Sequence, residues 1–262
     1  MYQCTQMGVR MNEIIIGENI TKEYGEGSER RTVLNEVSIS IRKGDFITIM
    51  GPSGCGKSTL LSILSGLEKA ESGTIRFTGS ELGKMKETQL SDLRRKNMGF
   101  VFQQPTFLKN LNLIDNIILP AAKNKNKGAD IILEKARELM RKTGISDLEE
   151  RSVTQVSGGQ LQRAGICRAL INQPDILFGD EPTGALNSKS SEEVMDIFSQ
   201  INQQGTTVLL VTHDAKVAAF ADKVYFMKDG NIVNEMALKR SNDCSMEDRR
   251  EAIRNAMKLL GI

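Results

Sequence analysis

Residues 51–58 read Gly51-Pro52-Ser53-Gly54-Cys55-Gly56-Lys57-Ser58, and this octapeptide restricts the fold more than any other stretch of the chain. It has the GxxxxGK[ST] spacing of a phosphate loop, preceded by the apolar run Phe46–Met50, read as a strand, and followed by residues 57–66, read as a helix. Glycine at Gly51, Gly54 and Gly56 lets backbone N–H groups turn toward phosphate oxygens, helped by the N-terminus of the helix. Lys57 is placed to reach the β- and γ-phosphates of a nucleotide, and Ser58 to ligate Mg2+ through its hydroxyl. A thiol at Cys55, beside a helix N-terminus and a lysine ammonium, is expected to ionise more readily than a free cysteine. Further short apolar runs at 99–102, 176–178, 208–211 and 224–227, separated by helical patterns, predict a largely parallel sheet with crossover helices.

A second element suits nucleotide chemistry. Residues 175–181 read DILFGDE, so an apolar strand would deliver Asp180 to its carboxyl end, where it can hold Mg2+ through water. Glu181, one step further, could orient or deprotonate an attacking water.

The rest of the chain bounds the reading. Its 262 residues allow one large domain or two small ones, and 39% hydrophobic with 26% charged residues describe an ordinary globular protein. Lys plus Arg exceeds Asp plus Glu by 35 − 33 = 2, which gives no electrostatic case for nucleic acid. No apolar run approaches the roughly 18–20 residues that cross a bilayer, and residues 1–10 lack an apolar signal core and read as a loose tail. Cys4, Cys55, Cys167 and Cys244 form no pair, which suits a reducing cytoplasm, and with His213 as the one histidine a zinc site is not expected. Cys167 is expected to pack inside a helix, while Cys4 and Cys244 lie in the tails.

Residues 13–20 and 33–41 read as strands around a polar loop at 24–31. Ile132, Ala136, Leu139 and Met140 mark one face of a helix, with Glu138 and Lys142 paired opposite and Gly144 as its stop. No strand-like run lies between Asn116 and Gln173, which predicts a helical insertion in an α/β core. Phe107, Leu108, Leu111 and Leu113 lie close together with few charges, as an exposed apolar patch would. After Leu238, Ser245 and Asp248 form a capping-box pattern, and Ala252, Ile253, Ala256, Met257 and Leu260 follow at helical spacing. A packed terminal helix and a partner-docking helix are both open readings of it.

Val156-Ser157-Gly158-Gly159-Gln160 resembles the LSGGQ signature of ATP-binding cassettes, with valine in place of leucine. Its order, after the phosphate loop and before the acidic strand, is that of the family, and the resemblance covers residues 12–236. It implies a P-loop NTPase (RecA-like) α/β core with an N-terminal antiparallel β subdomain and an inserted α-helical subdomain at about 104–165, followed by an extension at 237–262. It implies a Mg-dependent ATPase whose nucleotide touches Tyr24 and the loop Gly51, Pro52, Ser53, Gly54, Cys55, Gly56, Lys57, Ser58 and Thr59. Ser157, Gly158, Gly159 and Gln160 would cover the γ-phosphate bound by a second copy, so that the site is complete only in a dimer. Gln103 matches the glutamine that senses Mg2+ beside Ser58 and Asp180 and faces a transmembrane partner, and His213 matches the switch histidine that positions Glu181 and water. Residues 184–187 match the loop after the acidic strand, where Asn187 departs from the usual aspartate and drops a charge.

The segments 100–108 and 115–120 resemble the macrolide-efflux and lipoprotein-releasing branch, and 184–189 resembles the bacitracin and lantibiotic resistance cassettes within it. Partners there are permeases with large extracytoplasmic domains and, in some systems, sensor kinases, which implies a peripheral place on the cytoplasmic face of the membrane and a role in antimicrobial-peptide or lipid-type export or resistance. A translation factor would carry two cassettes joined by a charged linker, and a DNA-repair ATPase a long coiled coil; neither pattern is present. A regulatory cassette that signals through a permease-like partner without transport remains the alternative.

Overall fold

The computed structural model describes residues 12–122, 128–238 and 245–262. The opening tail, Cys4 and Cys244 lie outside them. In chain order the elements are β1 (Glu13–Tyr24), β2 (Arg31–Arg42), β3 (Phe46–Met50), α1 (Lys57–Leu64), β4 (Ser72–Phe77), β5 (Ser80–Glu81), α2 (Glu87–Asn97), β6 (Met98–Phe102), α3 (Leu113–Ile118) and α4 (Ala129–Lys142). They continue with α5 (Gly158–Leu170), β7 (Ile176–Asp180), α6 (Ser188–Gln203), β8 (Thr207–Thr212), α7 (Ala215–Ala218), β9 (Lys223–Lys228), β10 (Asn231–Ala237) and α8 (Met246–Leu260). The chain forms two compact units: one runs to Leu90 and resumes at Thr207, the other is Ser91–Thr206.

The first unit holds an antiparallel sheet in the order β2-β1-β4-β5. Both long strands outrun the stretches 13–20 and 33–41 that the alternation predicts. Asn19 and Glu36 take left-handed backbone conformations (φ 51° and 50°), and register shifts follow, so the pairing continues until Tyr24 meets Arg31. Sequence reading missed β4, β5 and β10, because Ser72–Phe77 is only partly apolar and Asn231–Ala237 is largely exposed. Backbone pairing to β1 and β9 makes them strands, and periodicity does not report that.

In the same unit β3 lies between β8 and β9 and runs parallel to both, with β10 antiparallel on β9. Every residue of β3 and β8 is buried, as expected of parallel strands covered on both faces. Each buried aliphatic or phenyl side chain there contributes about 1.5–3 kcal/mol. Helix α8 is a packed helix: Ile253 and Ala256 join Val224, Phe226 and Ala218 in one apolar cluster, while Ala252 faces solvent. Its Ser245–Asp248 capping box forms, Arg249 donates to the Ala221 carbonyl, and Lys228 Nζ donates to the Leu260 carbonyl at 3.1 Å.

The second unit pairs β6 with β7 in parallel and surrounds a helical core. Helix α4 buries Ile132, Ala136 and Met140, leaves Leu139 half-buried, and pairs Glu138 with Lys142 at 2.7 Å on its exposed side. Gly144, at φ 68°, ends it, and Ile145 N bonds back to the Met140 carbonyl at 2.9 Å.

The apolar stretch at 107–113 departs from expectation. Leu113 is a core residue, Phe107 packs on the same cluster with the Arg168 guanidinium 4.5 Å from its ring centre, and only Leu108 is well exposed. Asn116 organises this segment: fully buried, its side chain accepts from Leu108 N at 2.8 Å and donates to the carbonyls of Asn112 (2.9 Å) and Leu108 (3.1 Å). Asn116→Leu preserves volume but strands these backbone groups, at a cost of about 2–3 kcal/mol. A lowered urea midpoint with faster amide exchange at Leu108 is the expected result, and an unchanged midpoint would refute this account of the loop.

Candidate active site

The nucleotide-type residues fall in both units. In the first, β3 ends at Met50 and the loop turns into α1 through Gly56, which caps the helix in a left-handed conformation (φ 103°). Two of its glycines are required by crowding: a Cβ at Gly51 would lie 2.2 Å from the Met227 carbonyl oxygen, and one at Gly56 would lie 2.7 Å from that of Val33. Gly54 has open space but a φ of 80°. The loop therefore hugs its neighbours by backbone alone and turns directly into the N-terminus of α1, the arrangement that suits an anion.

Lys57 is buried. Its ammonium donates to the carbonyls of Gly51 (2.8 Å) and Pro52 (2.9 Å), so it is folded into the loop rather than extended into solvent. Pro52, Ser53 and Gly54 are exposed, Ser58 is exposed at the helix start, and Thr59 follows half-buried. His213 is exposed directly after β8; its neighbour Asp214 accepts from Lys216 N at 2.8 Å and so starts α7. Tyr24, 43% exposed, ends β1 with its hydroxyl donating to Glu68.

In the second unit Phe102, the last residue of β6, is paired in register with Asp180, the last of β7. Gln103 and Glu181 therefore each lie one step past a paired strand end. Glu181 has φ 47°, a strained conformation for a glutamate and one that collects at functional sites. Gly184 N closes the following turn on the Glu181 carbonyl at 3.0 Å, and a Cβ at Gly184 would stand 2.8 Å from Gln103 Nε2. The glutamine amide is thus seated on the turn that begins with Glu181.

Ser157 caps α5 in a full capping box: its hydroxyl accepts from Gln160 N at 3.3 Å, and Gln160 Oε1 accepts from Ser157 N at 2.8 Å. Ser157 and Gly158 are exposed, and Gly159 is buried where a Cβ would meet Ser190 Oγ at 3.0 Å. Asn187 caps α6 by accepting from Ser190 N at 2.9 Å, a task in which asparagine equals aspartate.

Sequence reading overlooked Gln162, 1% exposed, whose Nε2 donates to the Phe102 carbonyl at 3.0 Å and so ties the signature helix to the strand bearing Gln103. The available signal was a polar residue on the buried face of α5. Taken separately, the first unit carries the Ser58 hydroxyl, and the second carries the Asp180 carboxylate and the Gln103 amide oxygen. Hard oxygen donors of this kind, few in number, fit an ion that keeps waters and substrate phosphate oxygens in its shell, as Mg2+ does.

Cys55 reverses its expectation. Its side chain is 5% exposed, and burial pushes the thiol above its ordinary value despite the Lys57 ammonium and the backbone N–H groups that favour thiolate. Cys167 is fully buried in α5, as expected, and is pushed up to about 12 by burial. A raised pKa leaves less thiolate at neutral pH, so maleimide should label Cys55 more slowly than a solvated cysteine at pH 7 and faster as the pH rises. Peptide mass analysis across pH 6–9 checks this; rapid labelling of Cys55 at pH 7 would contradict it.

Residues 34–184 match the family model described as ABC transporter. The bacitracin export ATP-binding protein BceA of Halalkalibacterium halodurans is 38% identical over 252 residues, covering 95% of this chain and 96% of that protein. The macrolide export ATP-binding/permease protein MacB of Aggregatibacter actinomycetemcomitans is 42% identical over 86% of this chain, which spans only 35% of that longer protein. Among solved structures, a dimeric post-hydrolysis state of the cassette MJ0796 bound to ADP and Pi superposes with a TM-score of 0.81 at 35% identity, covering 87% of this chain and all of that one. The chain belongs to the ABC transporter family and is an ATP-binding cassette, an enzyme that hydrolyses ATP with Mg2+.

Proposed function

We propose that two copies of this chain close on ATP and that the closure powers a separate permease in export of, or resistance to, antimicrobial peptides or lipid-type compounds. The observation that carries the reading is the start of α5: Ser157 and Gly158 are exposed on a helix N-terminus already capped by its own side chains, a surface prepared for an anion brought by another molecule. The likeness to the dimeric ADP-bound cassette and to the bacitracin export protein, at near-equal length, supports it. Among the described residues no helix is long and apolar enough to cross a membrane. The exposed Phe102, next to Gln103 in the chain, and the exposed Leu108 are the apolar residues we assign to the permease, at the cytoplasmic face of the membrane. A sensor kinase would complete a resistance system of the kind this branch suggests.

In this reading Tyr24 stacks on adenine, the backbone of residues 51–59 and Lys57 hold the phosphates, and Ser157–Gln160 cover the γ-phosphate of the other copy. Ser58, Asp180 and Gln103 would hold Mg2+, which supplies charge neutralisation at the phosphates. Glu181 takes the proton of the attacking water, and His213 keeps water and glutamate aligned.

Lys57→Ala should lose charge-assisted bonds to phosphate and with them hydrolysis. Glu181→Gln keeps the shape of the site without its base, so turnover should drop about 100-fold or more while ATP stays bound. Light scattering of this variant in Mg-ATP should then report a dimer, and Ser157→Arg should abolish it. A monomer at saturating ATP and high protein concentration would sink the shared site.

A further inference from the structure

A half-exposed tyrosine at the end of a strand ordinarily swings between rotamers, and a ring that swings is a poor platform for a base. Tyr24 is held. Its hydroxyl donates to the Glu68 carboxylate, whose two oxygens lie at 2.7 and 2.8 Å. Beneath it Lys22, on the same face of β1 two residues earlier, is 8% exposed. Its ammonium meets Glu68 Oε1 at 3.0 Å, the Lys69 carbonyl at 3.0 Å and Glu71 Oε1 at 3.7 Å, and stands 5.1 Å from the centre of the Tyr24 ring. A lysine on a surface strand would normally extend to water; here it is turned under an aromatic ring.

The anchor for this cluster is the phosphate-loop helix. Glu68 N donates to the Ser62 carbonyl in α1 at 3.1 Å, and Glu71 N returns to the Thr21 carbonyl of β1 at 2.9 Å. Burial and Glu68 push the Tyr24 phenol above its ordinary value, with the Thr59 hydroxyl of α1 acting in the opposite sense, so the phenol remains a donor at neutral pH. The ring is therefore tied to the helix whose first turn serves the phosphates.

We propose that Glu68, supported by Lys22, is a positioning residue for the nucleotide base: it fixes the Tyr24 ring relative to the phosphate loop so that base and phosphates are gripped together. This rests on the reading that Tyr24 stacks on adenine. Neither Glu68 nor Lys22 touches the reacting atoms, so their loss should weaken ATP binding and raise KM with little change in kcat.

The test is calorimetric titration in EDTA with ATP and, separately, with inorganic tripolyphosphate, which has phosphates but no base. Tyr24→Ala should weaken ATP by roughly tenfold or more, the worth of a stacked base. Glu68→Ala and Tyr24→Phe should each weaken it by roughly three- to tenfold, with tripolyphosphate affinity unchanged. The double variant Tyr24→Phe with Glu68→Ala should be no weaker than either single change, because both remove one interaction. Glu68→Gln, which keeps an acceptor for the phenol, should recover most of the loss. Equal losses for ATP and tripolyphosphate would overturn the proposal by making Glu68 a general support of the loop, and so would parental ATP affinity in Glu68→Ala. Parental affinity in Tyr24→Ala would overturn the stacking role and the clamp together while leaving ATP binding intact. A parent protein that fails to bind ATP would overturn the functional reading itself.

Discussion

Backbone crowding around the phosphate loop is the constraint on which the first unit depends. Gly51 approaches the Met227 carbonyl and Gly56 that of Val33 more closely than any side chain would allow. Those contacts bring β9, β2 and the loop together, and Gly230 N adds a bond to the Cys55 carbonyl at 3.2 Å. The same crowding encloses Lys57 and Cys55, with opposite results. The lysine ammonium finds two carbonyls and stays in place. The thiol meets more burial than positive potential and stays protonated. One loop thus fixes a cation in place and raises the pKa of a thiol two residues away.

The second unit meets a comparable demand with strain in place of crowding. Strand register sets Gln103 and Glu181 at equivalent ends of β6 and β7, and Glu181 enters its turn at positive φ. Such a conformation costs of order 1–3 kcal/mol and persists where its surroundings over-determine it. Here those surroundings include the turn closed by Gly184, the Gln103 amide resting on it, and Gln162 holding the carbonyl of Phe102. The catalytic role proposed for Glu181 would profit from that rigidity, because a base acts only within hydrogen-bond reach of its proton.

Away from the chemistry, the polar side chains that the function does not use do structural work of the same local kind. Asn116 gathers the loop after Gln103 onto α3, Ser245 caps the start of α8, and Arg249 ties that helix to the Ala221 carbonyl within the first unit. Asn187, where the family more often has aspartate, still caps α6, so the lost charge leaves the helix start intact.

What the sequence determined by itself was everything governed by short spacing. The phosphate loop, the Ser245–Asp248 capping box, the buried stripe of α4 with its Glu138–Lys142 pair, and the apolar runs of β3 and β8 all rest on bonds or periodicities within a few residues. Tertiary structure decided what depends on sums over distant neighbours. It made Leu113 core while leaving Leu108 exposed, extended β1 through bulges, and made strands of β4 and β10 by pairing alone. It also reversed the ionisation expected of Cys55 and bound Tyr24 to Glu68, 44 residues on. Burial, crowding and charge act through space, and neither local spacing nor composition records which residues will share it.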